Sequence, residues 1–292
     1  MLEQKIERLF EKHGFDHSEY NGCFDIIARK RGEIVLVKIL SNIDSFQETQ
    51  AENLKILSKN IGAFPCLVGT HTRSEMLEND IIYERFDISA FTPDTLESIL
   101  DNNPPHVYRS KGGLFMEIEP SLLKNSRKSR RLTQHELAEL VGVTKKSIYE
   151  HESRRMKAIR ETVESLERLL KEDLSVPFNL KIEISNAGGK PRTSFEKSVG
   201  IELKRKGFKT DFVYQTPFNI IAKERVLILN DAEENERHIK RNIPDLSNFS
   251  RISDKPILLI TKNRQEYDLP SISKKQLKEL SASDLKRLAK KW

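Results

Sequence analysis

The sequence predicts a multidomain protein in which a central all-α segment lies between two duplicated α/β arms. Three observations support this prediction. A chain of 292 residues exceeds the size that one hydrophobic core usually supports. Short helical patterns with clear start and stop signals fill the middle of the chain, and similar sequence blocks recur on both sides of it. The expected domain limits are 1–110, 115–172 and 178–292.

The composition is typical of a folded protein of the cytoplasm. Hydrophobic residues make up 37% and charged residues 32% of the chain, and no apolar run approaches the roughly 20 residues that span a bilayer. The first segment, MLEQKIERLF, is charged and helical, so we expect no signal peptide there. Cys23 and Cys66 are too few for a disulfide framework, so we expect two reduced thiols.

The positive charge is concentrated in one segment. Residues 121–160 contain eleven basic and four acidic residues, a net charge of +7, whereas the rest of the chain has 39 basic and 40 acidic residues and carries −1. A cationic patch of this kind attracts polyanions, because binding to phosphates releases counterions. A solvated helix face is the alternative explanation of the same charges.

Capping signals divide the central segment into short helices. Pro120 suits a first helical turn, and Thr133 with Glu136 forms the capping-box pattern at the start of the next helix. Gly142 can end that helix, and Thr144 can cap the following one. Because the latter helix has Ile148 as its one strongly apolar residue, we expect its polar face to contact a partner.

This segment resembles the Cro/C1-type helix-turn-helix family over about 50 residues. The matching residues are Leu123, Arg127, Leu132, Thr133, Gln134, Leu137, Ala138, Gly142, Val143, Thr144, Ile148 and Glu152. The resemblance implies that the helix beginning at Thr144 enters the major groove of DNA and that Gln134 and Thr144 lie near phosphates. The sequence departs from the family pattern at Ser153, Arg154 and Ala158, where glycine and proline are common.

The chemistry of the side chains predicts their roles on double-stranded DNA. Lys145, Lys146 and Tyr149 are candidates for base contacts, and Thr144 and Ser147 can donate to phosphates. Six basic residues are candidate backbone contacts or a steering field, with solvated surface as the alternative for each: Arg127, Lys128, Arg130, Arg131, Arg154 and Arg155. Thr133 and Gln134 complete the predicted DNA-binding set.

The two arms share three sequence blocks at an offset of about 191 to 194 residues. Gly14-Phe15 corresponds to Gly207-Phe208, FDIIARKRGEIVLVKI from Phe24 to FNIIAKERVLIL from Phe218, and PCLVGTHTRSE to PILLITKNRQE. Each arm reads as helix, β-hairpin, helix and buried strand, which predicts an α/β layer and an internal duplication.

This order resembles restriction-endonuclease-like and Holliday-junction-resolvase-like domains, in which two acids and a lysine hold a divalent metal. Asp25 and Lys38 match the first acid and the lysine, but Leu36 replaces the second acid. In the second arm Asn219, Leu227 and Leu229 are expected at the three positions. We therefore expect folds that retain no catalytic residue, metal or cofactor, with Asp25 either in a structural ion pair or solvated at the surface.

The combined reading is a sequence-specific transcriptional regulator that acts as a homodimer, and the whole chain looks like archaeal Cro/C1-type regulators. The arms would supply dimerisation, sensing of an effector or contact with the transcription machinery. The alternatives are a DNA-processing nuclease targeted by the helix-turn-helix and an architectural DNA-binding protein.

Overall fold

The computed structural model describes residues 1–179 and 188–290. The chain divides into two compact units: unit 1 comprises Met1–Ser41, Ser45–Leu67 and Lys181–Trp292, and unit 2 comprises Asn42–Asp44 and Val68–Leu180. Within the described part of the chain, no helix has both the length and the apolar character needed to cross a membrane.

The first arm of unit 1 places two helices on a sheet whose strands follow the order β1-β2-β3-β4. Its elements are α1 (Leu2–Lys12), β1 (Asp16–Glu19), β2 (Ile26–Lys30), β3 (Glu33–Ile39), α2 (Glu48–Ile61) and β4 (Ala63–Val68). Helix α1 buries Ile6, Leu9 and Phe10, which recur at helical spacing. Strand β2 pairs with β3 in an antiparallel hairpin that sets Ile26 opposite Val37.

Unit 2 combines a sheet with a cluster of short helices. Its elements are β5 (Ile81–Arg85), β6 (Ile88–Phe91), α3 (Pro93–Leu100), β7 (Val107–Ser110), β8 (Gly113–Ile118), α4 (Pro120–Ser129), α5 (Gln134–Val141), α6 (Lys145–Ser153), β9 (Lys157–Ile159), α7 (Arg160–Leu170) and β10 (Ser175–Val176). The strand order is β6-β5-β7-β8-β10, and β9 also pairs with β8.

The prediction of a central all-α domain of the Cro/C1 type is wrong, because the fold is mixed α/β. Strands β7 and β8 form a hairpin just before α4, and β9 follows α6 directly and pairs with β8. Met116, Ile118 and Ala158 from these strands share one buried cluster with the helices. The helices therefore pack on a sheet. Ala158, which departs from the family pattern, belongs to strand β9 and pairs with Met116 of β8.

The second arm of unit 1 repeats the order of the first. Its elements are α8 (Ser194–Arg205), β11 (Lys209–Phe212), β12 (Ile220–Lys223), β13 (Leu227–Glu233), α9 (Glu236–Ser253), β14 (Ile257–Thr261), β15 (Ser271–Ser273), α10 (Lys274–Glu279) and α11 (Ala282–Ala289). The sheet order is β11-β12-β13-β14-β15, with an antiparallel β12–β13 hairpin and a parallel β13–β14 pair.

The two arms pack against each other inside unit 1. The Phe249 ring lies 5.9 Å from the Phe24 ring and 5.0 Å from the Phe218 ring, so aromatic residues of both copies share one cluster. The Cys23 amide donates to the Gln215 carbonyl oxygen over 2.8 Å. The loops before β2 and β12, which correspond in the duplication, therefore meet at this interface.

Candidate functional site

Helix α6 has one buried and one exposed side. The Thr144 hydroxyl accepts a hydrogen bond from the Ser147 amide over 3.1 Å and caps the helix, as its sequence predicts. Ile148 is fully buried, and His151 and Glu152 are 5% and 8% exposed. These residues fix the helix against its neighbours, so the opposite side remains available to a partner.

The exposed side of α6 carries most of the predicted contacts. Thr144, Lys145, Lys146 and Tyr149 are exposed, with Tyr149 at 58%, and Ser147 is half-buried. The Lys146 ammonium lies 4.0 Å from a Glu150 carboxylate oxygen, a long i,i+4 contact that leaves this side chain largely free. We call the exposed side of Thr144 to Tyr149 the reading face.

Helix α5 is held by local signals and by one bond to α6. Thr133 and Glu136 form the predicted capping box, and Gly142 ends the helix in the left-handed conformation with φ of 72°. Gln134 is half-buried, and its side-chain amide donates to a Glu152 carboxylate oxygen over 2.8 Å. Thr133 is exposed at the helix start.

Arg127 was a candidate contact to the DNA backbone, but it lies buried inside the helical cluster. Its Nε and Nη2 atoms donate to the Glu152 carboxylate over 2.5 and 3.0 Å, and Nη1 donates to the Leu132 carbonyl oxygen over 2.7 Å. The bond to Glu152 raises the pKa of Arg127. Burial acts to raise the pKa of Glu152, but bonds from Arg127 and Gln134 lower it below its usual value. Arg127 therefore joins α4 to α6.

The remaining predicted backbone contacts lie at helix ends. Arg131 is exposed in the left-handed region with φ of 59°, just after α4, and Arg154 is exposed at the end of α6. Arg155 is exposed and pairs with Glu119, and this hydrogen bond lowers the pKa of Glu119. Lys157, which the predicted set omitted, lies over the Tyr108 ring at 4.6 Å.

In the first arm Asp25 and Lys38 form a close ion pair. The Lys38 ammonium lies 2.7 Å from Asp25 Oδ1 and donates to the Gly22 carbonyl oxygen over 2.9 Å, and the Ile39 amide donates to Asp25 Oδ2 over 2.7 Å. Both Asp25 oxygens are therefore occupied, and Leu36 is fully buried where a second carboxylate would be needed. These residues do not fit a divalent cation, which needs more carboxylate oxygens than this site offers.

The second arm differs from its predicted alignment by two residues. Strand pairing sets Ile220 opposite Asn230, as it sets Ile26 opposite Val37. The position of Leu36 is therefore taken by Leu229, and that of Lys38 by Asp231, not by Leu227 and Leu229. Asp231 is not among the residues predicted from the sequence, because only the register of the hairpin reveals its position.

Asn219 occupies the position of Asp25 in the second arm. Its side-chain oxygen accepts from the Ala232 amide over 2.9 Å, as Asp25 accepts from Ile39, and its Nδ2 donates to the Ala232 carbonyl oxygen over 3.0 Å. Asn219 thus accepts the same backbone hydrogen bond as Asp25, although its side chain is an amide and not a carboxylate. The second arm therefore has an amide in place of Asp25 and a carboxylate in place of Lys38.

Comparison with known proteins gives two kinds of match. Residues 1–105 match the model of the PD-(D/E)XK superfamily domain. No solved structure matches the chain. The expectation that the chain is no enzyme is contradicted by the superfamily match, which points to an enzyme of the nuclease type.

Archaeal relatives match across both arms and the central segment. They carry the name "Putative HTH-type transcriptional regulatory protein". The relative from Methanocaldococcus jannaschii is 30% identical over 294 residues, covering 96% of this chain and 92% of its own. That from Pyrococcus abyssi is 34% identical, covering 81% and 78%, and that from Thermococcus gammatolerans is 32% identical, covering 90% and 86%. The chain belongs to this family of archaeal helix-turn-helix regulatory proteins.

Proposed function

We propose that the protein is a transcriptional regulator that binds specific sequences of double-stranded DNA with the reading face of α6. The observation that carries the proposal is the division of this helix, which anchors Ile148 and Glu152 inside and leaves Lys145, Lys146 and Tyr149 exposed. An α-helix of this kind fits the major groove, where base edges are distinguishable. The names of the relatives support the same function.

The proposed contacts fall into two groups. Lys145, Lys146 and Tyr149 contact base edges, and Thr144 and Ser147 donate to phosphates at the N-terminus of the helix. Phosphates are also contacted by the exposed residues Arg131, Thr133, Arg154 and Arg155 and by Gln134. Because Arg127 is buried in its pair with Glu152, it supports the reading face and does not contact DNA.

We further propose that two chains bind one operator in the cytoplasm. One short helix buries too little surface for tight, specific binding, so two reading faces would contact half-sites about one helical turn apart. Analytical ultracentrifugation of the protein with its selected DNA should give two chains for each duplex. A complex of one chain and one duplex would refute this part of the proposal.

Selection of bound DNA from a random pool tests the proposed function. Wild type should enrich one motif, whereas an architectural protein would enrich none. Lys146→Ala should relax base preference, at a cost of about 1–3 kcal/mol for the preferred site. Arg131→Ala should weaken all sequences alike and lower the salt dependence by about one phosphate contact.

Lys197→Ala provides the matched control, because this exposed lysine on α8 lies in unit 1 and loses the same charge. The control should bind as wild type does. Equal effects of Lys146→Ala and Arg131→Ala on every sequence would refute the assignment of the reading face.

DNA cleavage is a second candidate function, favoured by the PD-(D/E)XK match over residues 1–105. Incubation of the full chain with duplex DNA and with Mg²⁺ or Mn²⁺ tests it directly. Cleavage that is lost in Asp25→Asn, but retained in the exposed control Asp268→Asn, would establish a nuclease. If the DNA remains intact under all these conditions, the protein is not a nuclease that cleaves such duplexes.

A further inference from the structure

The second arm contains a polar cavity of about 220 Å³. Six of its lining residues carry the chemistry: Glu196, Asn219, Asp231, Glu233, His238 and Asn242. Three of these are carboxylates, and no lysine or arginine is among the lining residues that the structure describes. We call this feature the second-arm cavity. Its lining therefore favours a positively charged occupant.

Two carboxylates of the cavity receive only neutral or weakly basic partners. Glu196 Oε2 accepts from the Tyr214 hydroxyl over 2.9 Å, and Glu233 Oε2 lies 3.6 Å from Nδ1 of His238. Arg192 stacks over the Tyr214 ring at 3.7 Å. The Arg192 guanidinium thus contacts the face of the Tyr214 ring. Within the described ranges 1–179 and 188–290, neither the Glu196 nor the Glu233 carboxylate forms a salt bridge with a lysine or arginine.

Asp231 is the most deeply buried of the three carboxylates. It is 6% exposed, and its Oδ2 accepts one hydrogen bond, from Asn242 Nδ2 over 3.1 Å. Burial, with Glu233 and Glu196 nearby, raises the pKa of Asp231 to about 7. A buried carboxylate without an opposite charge costs free energy, which a bound cation would recover.

The first arm supplies an internal comparison. There, a lysine ammonium occupies the position that corresponds to Asp231, where it is 7% exposed and pairs with Asp25. In the second arm the lysine has become a carboxylate and Asp25 has become Asn219. The second arm therefore has no ammonium group at this position, which borders a cavity lined with carboxylates.

We propose that the second-arm cavity binds a small organic amine, whose ammonium group pairs with Asp231 and Glu233. The volume equals that of about seven water molecules, which suits an amine with few heavy atoms. A single metal ion fits less well. Among the described residues, no three acidic, histidine or cysteine ligand atoms of this cavity lie within 4.8 Å of one another.

Calorimetric titration of the full chain with putrescine at pH 8 tests the proposal, because Asp231 is then ionised. Wild type should bind the diamine, and butanediol, an uncharged analogue of the same length, should not bind. Asp231→Asn and Glu233→Gln should each weaken binding about 10- to 100-fold, the effect of losing a hydrogen bond to a charged group.

Asp268→Asn and Glu266→Gln are matched controls, since both residues are exposed in the same arm and lose the same charge. They should bind putrescine as wild type does. Circular dichroism identifies variants that fail to fold, and Asn242→Ala then tests the same cavity without changing a charge. Absence of putrescine binding, equal binding by Asp231→Asn, or binding of Mg²⁺ or Mn²⁺ in place of the amine would overturn the proposal.

Discussion

Replacement of Glu152 by glutamine tests whether α6 is held in place by a buried charge. The Glu152 carboxylate receives Arg127 over 2.5 and 3.0 Å and Gln134 over 2.8 Å, and both charged residues are 8% exposed. Glu152→Gln keeps the shape of the side chain but removes its charge. The Arg127 guanidinium then remains buried without its anion.

The expected cost follows from this burial. Breaking a buried pair by removing one partner costs about 3–5 kcal/mol, because the remaining charge is not compensated. The glutamine oxygen can still accept one bond from Arg127, so we expect a loss near 3 kcal/mol. In Arg127→Met combined with Glu152→Leu, no unpaired charge remains, and the loss should be smaller than the sum of the two single losses.

Hydrogen exchange of backbone amides, read by mass spectrometry, measures this effect locally. The chain has two compact units, so one global unfolding transition cannot be assumed, whereas exchange reports the opening of α4 to α6 alone. Arg168→Met is the control, since Arg168 is exposed on α7, and it should change the opening free energy by less than about 0.5 kcal/mol.

The pH dependence has a definite sign. Since the folded pKa of Glu152 lies below its usual value, the stabilisation by the pair is complete at neutral pH. It is lost as the pH falls through the lowered pKa, and Glu152→Gln should lack this acid-dependent loss. If Glu152→Gln opens α4 to α6 no more readily than wild type, the pair does not hold the reading face and the reasoning fails.

Four further changes test other parts of the structure. Thr144→Ala removes the cap of α6 and should lower its stability by about 1 kcal/mol, seen as faster amide exchange in α6 only. Gly22→Ala places a Cβ atom 2.0 Å from the Gln215 carbonyl oxygen and should destabilise unit 1 by about 1–3 kcal/mol, measured by amide exchange in unit 1; unchanged exchange would contradict this packing of the arms. Because the folded pKa of Asp231 is about 7, the stability of unit 1 should fall from about pH 4 to 7 by up to about 4 kcal/mol, and amide exchange in unit 1 of Asp231→Asn, corrected for its intrinsic pH dependence, should show no such fall. Burial raises the pKa of Cys23 to about 12, so iodoacetamide should modify this thiol only in urea; rapid labelling of native protein would disprove its burial.

Local signals in the sequence determined much of the helical region. The Thr133–Glu136 capping box, the left-handed Gly142 and the Thr144 cap each depend on residues within one turn, so their spacing predicts the helix ends directly. Ile148 predicted the anchored side of α6 for the same reason. The recurrent blocks of the two arms likewise required only comparison of one part of the chain with another.

Pairing between distant segments was decided only by the tertiary structure. Strand β9 has three residues and exists because β8 lies beside it, so no pattern within 157–159 distinguishes it from a loop. Arg127 looked like a surface charge until Glu152, 25 residues later, was found within hydrogen-bond distance. The contrast arises because helix caps are short-range, whereas strands and buried ion pairs depend on partners that folding brings together.

The candidate sites also differ in whether neighbouring residues or distant strand pairing determine them. Lys145, Lys146 and Tyr149 follow one another on a single helix, so the sequence alone predicted which side chains are presented together. The position of Asp231 follows only from the register of the hairpin. The sequence alignment was shifted by two residues and placed Leu229 at the position of Lys38. The sequence by itself determined which side of α6 is exposed, and only folding decided that a carboxylate occupies the place of Lys38, because register is fixed by pairing across strands.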